Sequence, residues 1–148
     1  MRKAYADLDG VSVIEDAAAT DFYGSYGQRW IDTTTLLKLS PNGTAKVGFF
    51  LRWRVGVWTL HPEHGQAVFL LPRWRYTLEC SKVERYDAIS VDGRLVLIEQ
   101  SWRSNAIQVL TDYPETLASC RETHGASKCE DLDYLSFMFM GQPVYIKR

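Results

Sequence analysis

The chain is expected to be all-β with minor helix: a single antiparallel up-and-down barrel of about eight strands, with a sandwich as second choice. Three observations carry that expectation. Five Trp, eight Tyr and six Phe among 148 residues tilt the composition toward β structure. Between residues 45 and 57 the apolar side chains Ala45, Val47, Phe49, Leu51, Trp53, Val55 and Val57 fall on one parity, with Lys46, Arg52 and Arg54 on the other. Two turn signatures, Pro41-Asn42-Gly43 and Asp92-Gly93, sit between such runs, and the second suits a type I′ hairpin.

The elements follow in order. Residues 1–21 read as an irregular N-terminal segment with at most a helical turn or two from Asp16, and Phe22 to Trp30 alternates glycines with aromatics at the entry to the first strand. Residues 33–40 form a strand that turns at Pro41-Asn42-Gly43 into the long alternating run. Gly48 and Gly56 permit a bend or bulge there. After a turn at His61-Pro62-Glu63-His64-Gly65, the next strand is expected to run from residue 67 to about 82, interrupted at Pro72, with Trp74 inward and Arg73 and Arg75 outward. Residues 86–91 and 94–100 make the Asp92-Gly93 hairpin. Residues 107–120 have weaker order and read as a strand plus a short helix beginning near Pro114. Residues 120–133 read as polar loop, and 134–140 with 144–147 as a closing hairpin around Gly141-Gln142.

A length of 148 residues suits one domain, 1–148, able to bury its core without metals or staples. The formal net charge of −1 and a pI near 6.3 supply no global field toward nucleic acid or anionic membrane. No apolar stretch reaches the roughly 18 residues of a spanning helix. The chain as written reads as soluble and cytoplasmic, or as periplasmic or secreted if it is a mature form lacking its signal peptide. No feature sets an oligomeric state. Of three cysteines, Cys120 and Cys129 flank the polar loop and can bridge in an oxidising compartment, leaving Cys80 alone; free thiols are the alternative.

The chemistry most open to a partner lies in two tripeptides, Arg52-Trp53-Arg54 and Arg73-Trp74-Arg75. On strands each would turn its Trp to the core and both guanidinium groups to the opposite face. A patch of Arg52, Arg54, Arg73 and Arg75, with Phe50 and Trp58 exposed alongside, suits an acidic protein surface or a small anion. The same arginines can equally pair across strands with Glu79, Glu84 or Glu99 on an ordinary solvated face.

Other constellations are weaker. His61, Glu63 and His64 sit in a turn with no third metal ligand placed, and Cys120, His124 and Cys129 lack paired zinc spacing. No metal or cofactor is expected. Asn42-Gly43-Thr44 matches a glycosylation sequon but already has a turn role. No nucleophile elbow or phosphate loop is present. Carboxylates such as Asp131 with Asp133 leave a small hydrolase open as a third class, and the chain reads more readily as a non-catalytic module.

The order of signals resembles the lipocalin-like, or calycin, barrels. A Gly and Trp segment opens the first strand (Gly27, Trp30), hairpins follow, and Thr111-Asp112-Tyr113 comes late, with Cys120-Arg121 after it. Two residues separate Gly27 from Trp30 where the family has one, and Pro114 follows Tyr113 directly. The resemblance implies an eight-stranded barrel holding a small apolar ligand, and residues such as Phe49, Trp53, Leu70 and Trp74 would line its lumen. The leading expectation is protein recognition of the inhibitor or immunity type through the arginine and aromatic face, with lipocalin-like carriage as the alternative.

Overall fold

The computed structural model describes residue 5 and residues 8–14, 19–29, 34–49, 52–61, 66–72 and 81–148. The chain is all-β with minor helix. Its strands are β1 (Val11–Val13), β2 (Gly24–Arg29), β3 (Thr34–Leu39), β4 (Thr44–Phe49), β5 (Arg52–His61), β6 (Gln66–Pro72), β7 (Ser81–Val91), β8 (Arg94–Glu99) and β9 (Val144–Lys147). Helices α1 (Arg103–His124) and α2 (Asp131–Met138) lie between β8 and β9. Among the described residues, no helix is long and apolar enough to cross a membrane.

The strands β2 to β8 pair antiparallel in chain order, and β9 pairs with both β8 and β2. Because β7 also pairs with β8, the ladder returns on itself as a curled, barrel-like sheet. The short β1 pairs with the far end of β7, Val11 opposite Val91. Both hairpins read from turn chemistry are present. Asp92 and Gly93 have φ of 51° and 81°, the left-handed pair that a type I′ turn requires. In the other, Gly43 has φ 81° and Asn42 Oδ1 accepts a hydrogen bond from the Thr44 amide at 3.0 Å.

Four sequence expectations change. The run from 45 to 57 is two antiparallel strands, β4 and β5, with Phe49 opposite Arg52. That pairing moves the inward parity from odd residues in β4 to even residues in β5. Val55 and Val57 are accordingly 53% and 54% exposed, while Trp58 is buried. The strand expected over 67–82 is likewise two, because β6 and β7 pair with Pro72 opposite Ser81.

The third change is at 107–120, which is wholly helical within α1, Pro114 included. Proline removes the amide that would bond the Leu110 carbonyl, a cost of about 3 kcal/mol in an isolated helix. Tertiary burial offsets it: Ala106, Leu110, Tyr113 and Leu117 recur at spacings of four, three and four on one face and are buried. Gly125, at φ 86°, ends the helix with its amide bonded to the Arg121 carbonyl at 2.9 Å. Fourth, the segment expected to be polar loop and closing hairpin contains the end of α1 and all of α2, and only 144–147 is strand.

Two cores result. One fills the sheet's concave side with Phe22, Tyr26, Leu37, Leu39, Ala45, Val47, Trp58, Tyr86, Ala88, Leu97 and Tyr145. The other lies between the outer face of β7, β8 and β9 and the two helices, where Ile89, Val96, Ile98, Val144 and Ile146 meet Leu110, Tyr113, Leu117, Leu135 and Phe139. Among the described residues no helix covers the outer face of β3 to β5, and Val55 and Val57 are accessible there.

Candidate functional site

Directly paired residues in a sheet point to the same side, so the register identifies the concave face. Val47 pairs with Arg54, Tyr86 with Glu99, and Leu97 with Tyr145. Val47, Tyr86, Leu97 and Tyr145 are all buried in the inner core. Arg54 and Glu99 are therefore on the concave side, and so is Glu84, two residues before Tyr86 on β7. Each of these three is half-buried.

The five groups form one electrostatic unit. The rings of Tyr86 and Tyr145 lie 5.7 Å apart at 62°, an edge-on arrangement. Burial pushes the Tyr86 phenol well up, and Tyr145, Glu84 and Glu99 push it further, while the Arg54 guanidinium opposes them. Tyr145 is raised by burial first and also by Glu84 and Glu99, again against Arg54. Both phenols thus remain protonated at neutral pH as uncharged donors and acceptors.

The rest of the concave side is packed with apolar side chains. Tyr26 donates its hydroxyl to the Phe22 carbonyl at 2.8 Å, and Trp58 Nε1 donates to the Ser40 carbonyl at 3.1 Å. Phe22 and Tyr23 pack on the Trp58 ring with centroids 6.3 and 6.0 Å away. Leu37, Leu39, Ala45, Val47 and Leu97 expose no more than 1% of their surface. A void large enough for water beside them would leave part of that surface accessible. On the concave side, Arg54, Glu84 and Glu99 are half-buried and keep some accessible surface.

Of the arginines and aromatics expected to meet a partner, Arg54 is placed on the concave side and Trp58 in the inner core. Arg52, the first residue of β5, shares the parity of Arg54, but its side chain lies outside the described residues. Phe50, Arg73, Trp74 and Arg75 also lie outside them; Pro72 and Ser81, which flank the second tripeptide, are at the barrel end where β5 begins. Trp58, expected exposed beside an arginine face, is buried in the inner core. Of the residues expected to line a lumen, Phe49 has the register of Val47, whereas Trp53 has that of the exposed Val55 and Leu70 pairs with the exposed Val57. Cys120 and Cys129 form a disulfide, so neither is a thiolate for a zinc ion.

No family model, curated protein or solved structure matches the chain. The barrel-like topology therefore stands on the strand pairings.

Sequence reasoning missed Tyr86 and Tyr145 as site residues. It did bring Glu84 and Glu99 toward the arginines as cross-strand partners, although on a solvated outer face. The signal for the tyrosines was their place inside alternating strands, which marks burial and not chemistry. A second polar cluster, Asp87 with Arg103 and Tyr5, lies on the helix-covered side of the sheet and ties elements together.

Proposed function

We propose that this chain is a non-catalytic binding domain whose site is the part of the concave side that carries Arg54, Glu84 and Glu99, and that it takes a small polar organic ligand with a positively charged group. The observation that carries the reading is Arg54 turned inward beside Tyr86, Tyr145, Glu84 and Glu99. Charges in a barrel interior are costly to desolvate, and such groups concentrate at functional sites. Among the described charged groups that act on Tyr86 and Tyr145, two carboxylates stand with one guanidinium, and this balance supports a ligand with a cationic group. The packed inner core argues against a long apolar ligand filling a lumen, so the chain shares a curled antiparallel sheet with the lipocalin-like expectation while the reading offered here departs from apolar carriage.

Titration with choline, citrate and a long-chain fatty acid, followed by the tyrosine ring resonances in NMR, tests the reading. Choline should perturb Tyr86 and Tyr145 and lose its effect in Glu84→Gln/Glu99→Gln. Perturbation by the fatty acid alone would restore the apolar carrier, and perturbation by citrate alone would reverse the inferred charge preference.

A second reading has its own observation: Glu84 and Glu99 are diagonal neighbours on adjacent strands and share the concave face. Two carboxylates on one face can serve as acid and base in glycoside hydrolysis. Release of nitrophenol from a panel of nitrophenyl glycosides, abolished by Glu84→Gln, would favour it over simple binding.

A further inference from the structure

The outer face of β3 to β5 carries a cationic and aliphatic surface. Val55 and Val57, two residues apart on β5, account for two of the three large hydrophobic side chains that are exposed among the described residues. Lys46 stands directly opposite Val55, and Lys38 directly opposite Lys46, so one row across β3, β4 and β5 reads Lys38, Lys46, Val55. Thr44 opposite Val57 begins the next row. Lys38 and Lys46 are both exposed.

Like charges directly opposite on a sheet destabilise it, and the usual remedy is a carboxylate on a flanking strand. Here there is none. From β3 through β6, no described strand residue with the outward parity is Asp or Glu. Arg85, exposed on the same face of β7 opposite Val68, adds a third positive group beyond β6. In a chain of net charge −1, the lack of carboxylates among the described outward residues of these strands is a local departure from the whole.

We infer that the outer face of β3 to β5, centred on Lys38, Lys46, Val55 and Val57, docks a protein partner that presents carboxylates around an aliphatic centre. Charge complementarity selects the partner: the lysines meet its acidic rim, and the valines lose water against its apolar core. This surface is separate from the inward site of Arg54 and Tyr145, and it stands whether or not that site binds a ligand.

The test uses the full chain and a short peptide alternating Glu and Val, with a Lys and Val peptide of equal length as control. NMR should show shifts confined to Lys38, Lys46, Val55, Val57 and their neighbours for the acidic peptide alone. Lys38→Glu/Lys46→Glu and Val55→Thr/Val57→Thr, all surface changes, should each weaken binding by about tenfold or more. Binding should also weaken as salt is raised toward about 0.5 M. Equal binding of the two peptides, or shifts at other faces, would overturn the inference. So would concentration-dependent dimerisation through Val55 and Val57, which would make a second copy the occupant, or binding to anionic vesicles with no response to the acidic peptide.

Discussion

Asp87 accepts two parallel hydrogen bonds from Arg103, from Nε at 2.6 Å and from Nη2 at 2.9 Å, and this pair fastens the first turn of α1 to β7. The Asp87 side chain is fully buried and also accepts the Tyr5 hydroxyl at 2.9 Å, so the N-terminal segment is held by the same carboxylate. Forked guanidinium pairing of this kind fixes orientation as well as charge. Replacing Arg103 with Met leaves Asp87 buried without its cation, and urea denaturation should register a loss of about 3 kcal/mol. Asp87→Asn in the same chain should recover part of it. A double variant no more stable than the single one would show that the pair is not what the helix depends on.

Alkali should destabilise the protein steeply. Burial raises the phenols of Tyr5, Tyr26, Tyr86 and Tyr145 above their ordinary value of 10. In the unfolded chain these groups lose protons near pH 10, while the folded chain retains them. The unfolded state then binds fewer protons, so stability is complete below pH 10 and falls above it, by up to about 1.4 kcal/mol per pH unit for each such tyrosine. Urea melts across that range should show the decline, and Tyr86→Phe should reduce its slope by one tyrosine's share.

The disulfide between Cys120 and Cys129 closes a short loop from α1 to the segment before α2. Chain entropy assigns such a closure about 2–3 kcal/mol. Cys120→Ser/Cys129→Ser should therefore lower the melting temperature while hydrogen exchange in β2 to β6 stays slow. Exchange should quicken in the last turns of α1 and in α2. Uniform acceleration across the sheet would contradict a local role.

Gly10 carries a positive φ of 71°, and a Cβ there would come within 2.3 Å of Asp92 Oδ1. The Gly10 carbonyl accepts the Asp92 amide at 2.8 Å, which secures the N-terminal segment to the β7–β8 turn. Gly10→Ala should cost about 1–2 kcal/mol through backbone strain alone, seen as a lower urea midpoint and faster exchange of the Asp92 amide.

How much of this was legible depends on where the chain announces its turns. Asp92-Gly93 and Pro41-Asn42-Gly43 carry residues that tolerate left-handed backbone, and both hairpins were read correctly. Between β4 and β5 the sequence offers no glycine, proline or asparagine, so an alternation that crossed from one to the other looked like one strand. The pairing of Phe49 with Arg52 exchanges the two faces, and that single unsignalled change of strand moved Arg54 from the expected surface to the interior and Val57 from the expected core to solvent. The same blindness joined β6 to β7. In α1 the helical spacing of Ala106, Leu110, Tyr113 and Leu117 was present, but Pro114 drew the helix start toward itself. The site was half visible: Arg54, Glu84 and Glu99 were all noticed, but convergence on Tyr86 and Tyr145 is a product of strand order, which periodicity does not encode.

The return of the ladder through β9 has a consequence for how this protein can meet others. Each strand from β2 to β9 has a hydrogen-bonded neighbour on both sides among the described residues. Along the paired residues a partner peptide thus finds no open amides and carbonyls on which to add itself, and the templating route to fibrillar aggregates is obstructed there for the same reason. Recognition is left to side chains, which makes it sensitive to single substitutions in a way that backbone pairing is not.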